Sequence, residues 1–246
     1  MKPKLIVAVD IETTGLDLKI SQPVQLAAIV GATSGGKWTI PPEVVYNSYC
    51  NPTVEIEPEA QEVHQITKGS LKFSPSPDSV CDVMANLVQH LQTKADVYLV
   101  TYNGTGFDIP ILSRYNPIFS SVKHIDMFTY VLRYMPEKGL KLTEVFKHYI
   151  GRELEEAHDA ASDCLAVCEL VGEVCNKEEV CLSELHTDLA QPKAYSVFPF
   201  GKHAGKPIDS VPKKYAKWCM ENFSYLSPDL KMTLNLIVYG NVNGRE

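Results

Sequence analysis

Residues 4–16 read KLIVAVDIETTGL, and the reading of the whole chain starts there. Lys4–Val9 is a short apolar run that ends at Asp10, the pattern of a buried strand with an acid at its C-terminal end. Alternate residues of an extended strand project from the same face, so Asp10 and Glu12 point together. Two carboxylates at the end of a buried strand are costly unless their charge is offset, and a divalent cation with oxygen ligands offsets it well. A DxE pair alone also fits an ordinary surface turn. Its continuation, Thr13-Thr14-Gly15-Leu16, adds two hydroxyls and a glycine that can bring backbone N–H groups close to a phosphate or ribose.

Working outward, Val24–Val30 and Val44–Tyr49 are β-rich stretches separated by the turn signal Ser34-Gly35-Gly36, which predicts an antiparallel meander with the first strand. Residues 51–77 form a long connection with a short helix around Glu59–Gln65. Val80, Val83, Met84, Leu87, Val88 and Leu91 recur at steps of three and four, the spacing of an amphipathic helix. Val97–Thr101 is a fourth strand, followed by an Asn103-Gly104 turn and a helix from near Phe107 to before Asn116-Pro117. Val122–Ile125 is a fifth strand, with Asp126 the N-cap of a helix over Met127–Tyr134. Leu140–Ile150 and Asp159–Cys175 supply two last helices of this part. The order predicts an α/β fold, a mixed five-stranded sheet flanked by helices. Gln191-Pro192 marks a boundary between residues 1–190 and a small α-rich C-terminal module, 191–246, with helices at Pro212–Asn222 and Pro228–Tyr239. At that size the module is expected to dock on the main domain.

The 246 residues suit one α/β domain plus such an appendage, with 45% hydrophobic and 22% charged residues. No run approaches the roughly 18 apolar residues of a membrane span. Asp10 lies where a signal peptide would be apolar, so the N-terminus reads as a strand and not as an export leader. Seven cysteines, an odd number without a CxxC pair, are read as small buried residues in preference to metal ligands or bridges, which points to a reducing, cytoplasmic setting. The net charge of −7 is unevenly placed. Residues 193–246 hold 8 Lys and Arg against 4 Asp and Glu, which is +4 and leaves −11 on residues 1–192. An acidic body attracts divalent cations, and a basic tail attracts a polyanion or is simply solvated.

Asp108 follows the fourth strand and the loop NGTGFD much as Asp10 follows the first, although taken alone it reads more readily as a helix N-cap. His158 and Asp163 open the last long helix of this part. Five helical residues advance about 7.5 Å and do not return to one face, so the two meet only if His158 lies in the preceding loop. Asp159 is the competing N-cap. Taken together, these groups fit phosphodiester hydrolysis. Two divalent cations can hold the attacking and leaving oxygens, carboxylates from several segments hold the cations, and a histidine accepts a proton near neutrality.

Three motifs carry a family resemblance: VAVDIETTGLD from residue 7, VTYNGTGFDIPIL from residue 100 and AHDAASDCLAV from residue 157, the last with HxxxxD spacing. With EAQEVHQIT and LKLTEVFKHYIG between them, residues 4–176 resemble a DEDDh-type 3′→5′ exonuclease of the RNase H-like superfamily. The resemblance implies that Asp10, Glu12, Asp108 and Asp163 hold two cations, Mg²⁺ or Mn²⁺, with Asp10 bridging both. It also implies that His158 takes the proton of the attacking water and that 5′-mononucleotides leave from a 3′ end. Thr13, Thr14, Leu16 and His64 match positions that contact the terminal nucleotide. Two positions depart from the pattern. Asn103, another substrate contact in the family, precedes Asp108 by five residues where four is usual, and His64 is followed by Gln65 where the family has glycine. The tail, FPFGKHAGK onward, resembles a small FGK-x-x-GK module. Its Lys202, His203, Lys206, Lys213 and Lys214 could grip phosphates while Phe198, Phe200, Tyr215 and Trp218 stack on bases, or the rings could form a small core. The fused tail and the motif set favour DNA over RNA as the nucleic-acid partner. RNA trimming is the rival within nucleases, and a silent binding protein on the same fold is the rival outside them.

Overall fold

A computed structural model describes residues 2–34, 37–136, 140–155, 159–223 and 226–240. The opening strand β1 (Lys4–Thr13) runs through both acids and does not stop before them. It pairs antiparallel with β2 (Pro23–Ser34), which pairs antiparallel with β3 (Lys37–Tyr49). After α1 (Pro58–His64) and α2 (Pro77–Lys94), β4 (Asp96–Thr101) returns parallel to β1. The chain continues through α3 (Asp108–Tyr115) and α4 (Ile118–Ser121), and β5 (Lys123–Asp126) lies parallel to β4. The order β3-β2-β1-β4-β5 is the mixed five-stranded sheet expected. The hairpin arms are longer than expected because β3 includes Pro41-Pro42. An edge strand leaves one row of backbone groups unpaired and so tolerates them.

Parity along β1 sets the two layers. Leu5, Val7, Val9 and Ile11 face a core with Leu26, Ala28, Met84, Val88, Leu99, Ile111 and Phe119, under α2, α3 and α4. Ile6 and Ala8 face the other core, built with α5 (Met127–Tyr134), α6 (Leu142–Ile150), α7 (Ala160–Lys177) and α8 (Leu182–Ala190). Each large apolar side chain buried in these layers contributes about 1.5–3 kcal/mol. Cys164, Cys168 and Cys175 are buried in this second core, and the seven cysteines are unbridged. The α8 helix was not expected. Its apolar face is only Leu182, Leu185 and Leu189 in a nine-residue stretch, too short for periodicity to register, and packing of Leu182 and Leu185 against the second core decides it.

Beyond residue 191, two 3₁₀ turns precede α9 (Lys213–Asn222) and α10 (Pro228–Tyr239). Their core holds Phe198, Val211, Ala216, Cys219, Leu230 and Leu234, and Leu132 of α5 joins it. Beside Leu132, Arg133 is almost fully buried. Its guanidinium donates to both Asp229 carboxylate oxygens at 2.7 Å and to the carbonyls of Asp188 and Gln191 at 2.9 Å. Among the described residues no helix is long and apolar enough to cross a membrane.

Gln65 ends α1 in the left-handed conformation, with φ 58° and ψ 10°, at the position where the resembled motif carries glycine. A side chain there costs about 1–2 kcal/mol, of which glycine's extra unfolded-state entropy recovers only part. Gln65→Gly is therefore expected to stabilise the fold by about 0.5–1 kcal/mol, read as a raised denaturation midpoint at unchanged slope.

Candidate active site

The even face of β1 passes from Ile6 and Ala8, buried under α7, to Asp10 and Glu12 at the end of the sheet. The first turn of α7 brings Asp163 to the same place. One carboxylate oxygen from each of Asp10, Glu12 and Asp163 lies within 4.8 Å of the others. Asp108 enters from the opposite layer. The pairing of β1 with β4 ends at Ala8 with Val100, and beyond it the Ile11 N–H donates to Asp108 Oδ1 at 3.2 Å. That side chain is buried, so one carboxylate both satisfies a strand amide and adds its charge to the group. His158 lies outside the described residues.

Crowding of like charges has the expected electrostatic result. Burial first, and then the charges of Asp108, Asp163, Glu12 and Asp159, hold Asp10 well above the ordinary carboxylate range. Burial and then Asp163, Asp108 and Asp159 push Glu12 up to about 8. Burial pushes Asp108 up to about 7 against the pull of hydrogen bonds from its own amide and that of Ile11. Every leading influence on Asp10 and Glu12 raises the pKa. An oxygen-only donor set of this kind, crowded with carboxylates, fits a hard divalent cation such as Mg²⁺ or Mn²⁺.

The residues around the acids divide by how their polar groups are used. Thr14 donates its N–H to the Gln22 carbonyl at 2.9 Å, accepts the Gln22 N–H on its hydroxyl at 3.0 Å and offers its carbonyl to the Glu57 N–H at 2.8 Å. Thr13 Oγ1 donates to the Gly15 carbonyl at 2.7 Å. His64 is buried. Its Nδ1 accepts the Ile66 N–H at 3.0 Å, which leaves Nε2 as the donor to the Thr13 carbonyl at 3.2 Å. Burial lowers its pKa, in keeping with this neutral form. These contacts make Thr13, Thr14 and His64 the frame of the turn after β1. Leu16, by contrast, is 80% exposed, an apolar side chain held out into solvent beside the acids.

Asn103 is exposed, with φ at +66°. The loop it begins is held by a residue that sequence reasoning read only as a helix cap. Asp126 caps α5 through the Phe128 N–H at 3.0 Å, as expected, and also accepts the amides of Asn103 at 2.8 Å and Thr105 at 3.0 Å. The close approach of this loop to β4 requires Gly104, where a Cβ would lie 2.3 Å from the Thr101 hydroxyl. Gln25 was also missed. It pairs across from Glu12 on β2, is buried, and donates to Asp159 at 2.9 Å, while Asp159 caps α7 through Ala161 and Ser162. Gln25 thereby ties the start of α7 to β2, the strand paired with the one that carries the first two acids. An isolated glutamine in a strand gives no signal of this role in sequence.

The fold is that of the RNase H-like exonucleases, with the acids gathered at the end of its central strand. A family profile described as "Exonuclease" matches residues 7–171, and the chain belongs to that family. Exodeoxyribonuclease 10 of Escherichia coli K12 is 28% identical over 80 residues, which is 31% of this chain and 36% of that relative's length. Exonuclease I of E. coli, solved in a zinc-bound form with single-stranded DNA, superposes with a TM-score of 0.59 at 22% identity, over 76% of this chain and 43% of that one. Exonuclease X bound to duplex DNA with a 5′ overhang gives 0.55 at 19% identity over 76% and 99%. A 3′-exonuclease recognising the histone mRNA stem-loop gives 0.57 at 15% over 71% and 64%.

Two outcomes are expected. The folded carboxylates hold protons that the unfolded chain has lost, so without divalent ions stability falls as pH rises from about 4.5 through 8. Added Mn²⁺ should raise the melting temperature more at the upper end of that window than at the lower, as calorimetry would show. Asp126→Ala should cost about 2–3 kcal/mol and accelerate hydrogen exchange at the Asn103 and Thr105 amides.

Proposed function

We propose that this chain is a metal-dependent 3′→5′ exonuclease that hydrolyses DNA, preferentially at single-stranded 3′ ends, to 5′-mononucleotides. The observation that carries the reading is the convergence of Asp10, Glu12 and Asp163, with Asp108 beside them, from segments about a hundred and fifty residues apart. These four would hold two divalent cations. Bound there, such ions supply positive charge to the phosphate and lower the pKa of water. The protein's own groups do the rest. His158 takes a proton from the attacking water, and its placement five residues before Asp163 supports that role. Leu16 offers an apolar surface to the terminal base, and the backbone at Thr13 and Thr14, braced by His64, lies against the terminal sugar and phosphate. Asn103 contacts the adjoining nucleotide. Residues 1–190 form the exonuclease domain and 191–246 a separate basic module in this reading. The unbridged cysteines support a cytoplasmic setting.

RNA is the second reading, favoured by the likeness to the histone mRNA 3′-exonuclease. Incubating DNA and RNA strands, each bearing a 5′ label, with Mg²⁺, Mn²⁺ or EDTA decides between them. Ladders shortening from the 3′ end of DNA, abolished by EDTA, are expected, and degradation of neither polymer would sink the enzyme reading. Asp10→Ala is expected to lose nearly all activity while keeping the fold. His158→Ala should slow turnover by about 10²–10⁴-fold, and wild-type rates in either variant would overturn these assignments.

A further inference from the structure

A cleft of about 370 Å³ lies between the loop that begins at Asn103 and the C-terminal segment. Leu18 and Asn103 line one side, and Phe200 and Phe223 the other. Asn103, Thr105 and Gly106, which line the cleft, belong to the loop that ends at Asp108, so the cleft borders the loop carrying this acid. From it a line of rings leads outward. Phe200 and Phe223 have centroids 5.2 Å apart, Phe223 and Trp218 are 5.7 Å apart, and Trp218 stacks on Tyr215 at 6.0 Å with 21° between the planes. Trp218 is the half-exposed ring of this line.

The charge beside the rings is mostly positive, although Asp209 and Glu221 stand among the lysines. Between residues 202 and 218 there are five lysines, all exposed, and a single acid, Asp209. Lys214, Lys217 and Trp218 fall at i, i+3 and i+4 on one face of α9, and Lys202 Nζ sits 5.2 Å from the Tyr215 centroid. A series of rings, partly buried at Phe200, Phe223 and Tyr215 and exposed at Trp218, beside exposed lysines suits a polyanion that carries flat apolar groups at regular intervals. An apolar protein partner would bury the lysines without compensation, and an acidic peptide would leave the rings unused.

We propose that the single strand upstream of the 3′-terminal nucleotide leaves the acidic centre through this cleft and crosses α9, with bases against Phe223 and Trp218 and phosphates against Lys202, Lys214 and Lys217. The inference rests on the nucleic-acid reading above and adds the path of the strand and the role of the C-terminal segment.

The test uses the full chain, whose two tryptophans are Trp38 and Trp218. Titration with a thymidylate dodecanucleotide in EDTA should quench the fluorescence of the wild type, and Trp218→Phe should abolish the change. With Mn²⁺, KM should be lower for the dodecanucleotide than for a trinucleotide. Trp218→Ala should raise the dodecanucleotide KM about 5- to 100-fold, the range of one lost base stack, and leave kcat in place. Exchanging Lys214 and Lys217 for Gln should reduce the salt slope of dodecanucleotide binding by about 1–2. Fluorescence unmoved by the oligonucleotide, together with a KM independent of length, would overturn the path while leaving the exonuclease reading intact. Failure of the wild type to cleave either oligonucleotide would overturn that reading instead, and the quenching would still decide whether the face binds a strand.

Discussion

Mutual repulsion of carboxylates at the end of β1 is the constraint around which this molecule is arranged. Chain connectivity puts Asp10 and Glu12 on the face of the strand that also carries Ile6 and Ala8, so the packing that buries Ile6 and Ala8 under α7 directs the acids toward Asp163. Burial then acts in two opposite senses on one strand. It stabilises the apolar residues and raises the pKa of the acids that continue them. A fold with this arrangement has its core and its site on a single element, and hard cations are the natural means of reconciling them.

Residues outside the cluster hold the acids in place. Gln25 links the strand beside Glu12 to the cap of α7, Asp126 holds the loop that ends at Asp108, and His64 and Thr14 brace the turn after β1. Each uses ordinary hydrogen bonds to backbone or cap atoms, and each lies on a different element. Position at the site is therefore set by contacts that span the sheet, which gives side chains from distant segments a common rigid reference.

The C-terminal segment contrasts with the body in charge and in the placement of its rings. Phe198 is fully buried within its core, while Trp218 stands at the surface, stacked on Tyr215 and in edge contact with Phe223. Of the two readings open for these aromatics in the sequence, the core reading holds for Phe198, whereas Trp218 stands at the surface. The segment is fastened through the Arg133–Asp229 pair, buried and bidentate, which fixes orientation in addition to contact.

Alternation, turn residues and caps made the five strands, the sheet class and the caps Asp126 and Asp159 legible in the sequence, because those signals are local. The acids were legible as candidates for the same reason, Asp10 and Glu12 by strand parity and Asp108 by the loop before it. Helix α8 escaped because its helical state is decided by Leu182 and Leu185 finding a partner surface, and Gln25 and the second role of Asp126 escaped because their partners lie far along the chain. The amino-acid order by itself determined which residues bear charge, which strands alternate and where helices start. Only the tertiary structure decided which of those charges meet, since the distance between groups remote in sequence is set by how layers pack and not by any neighbour along the chain.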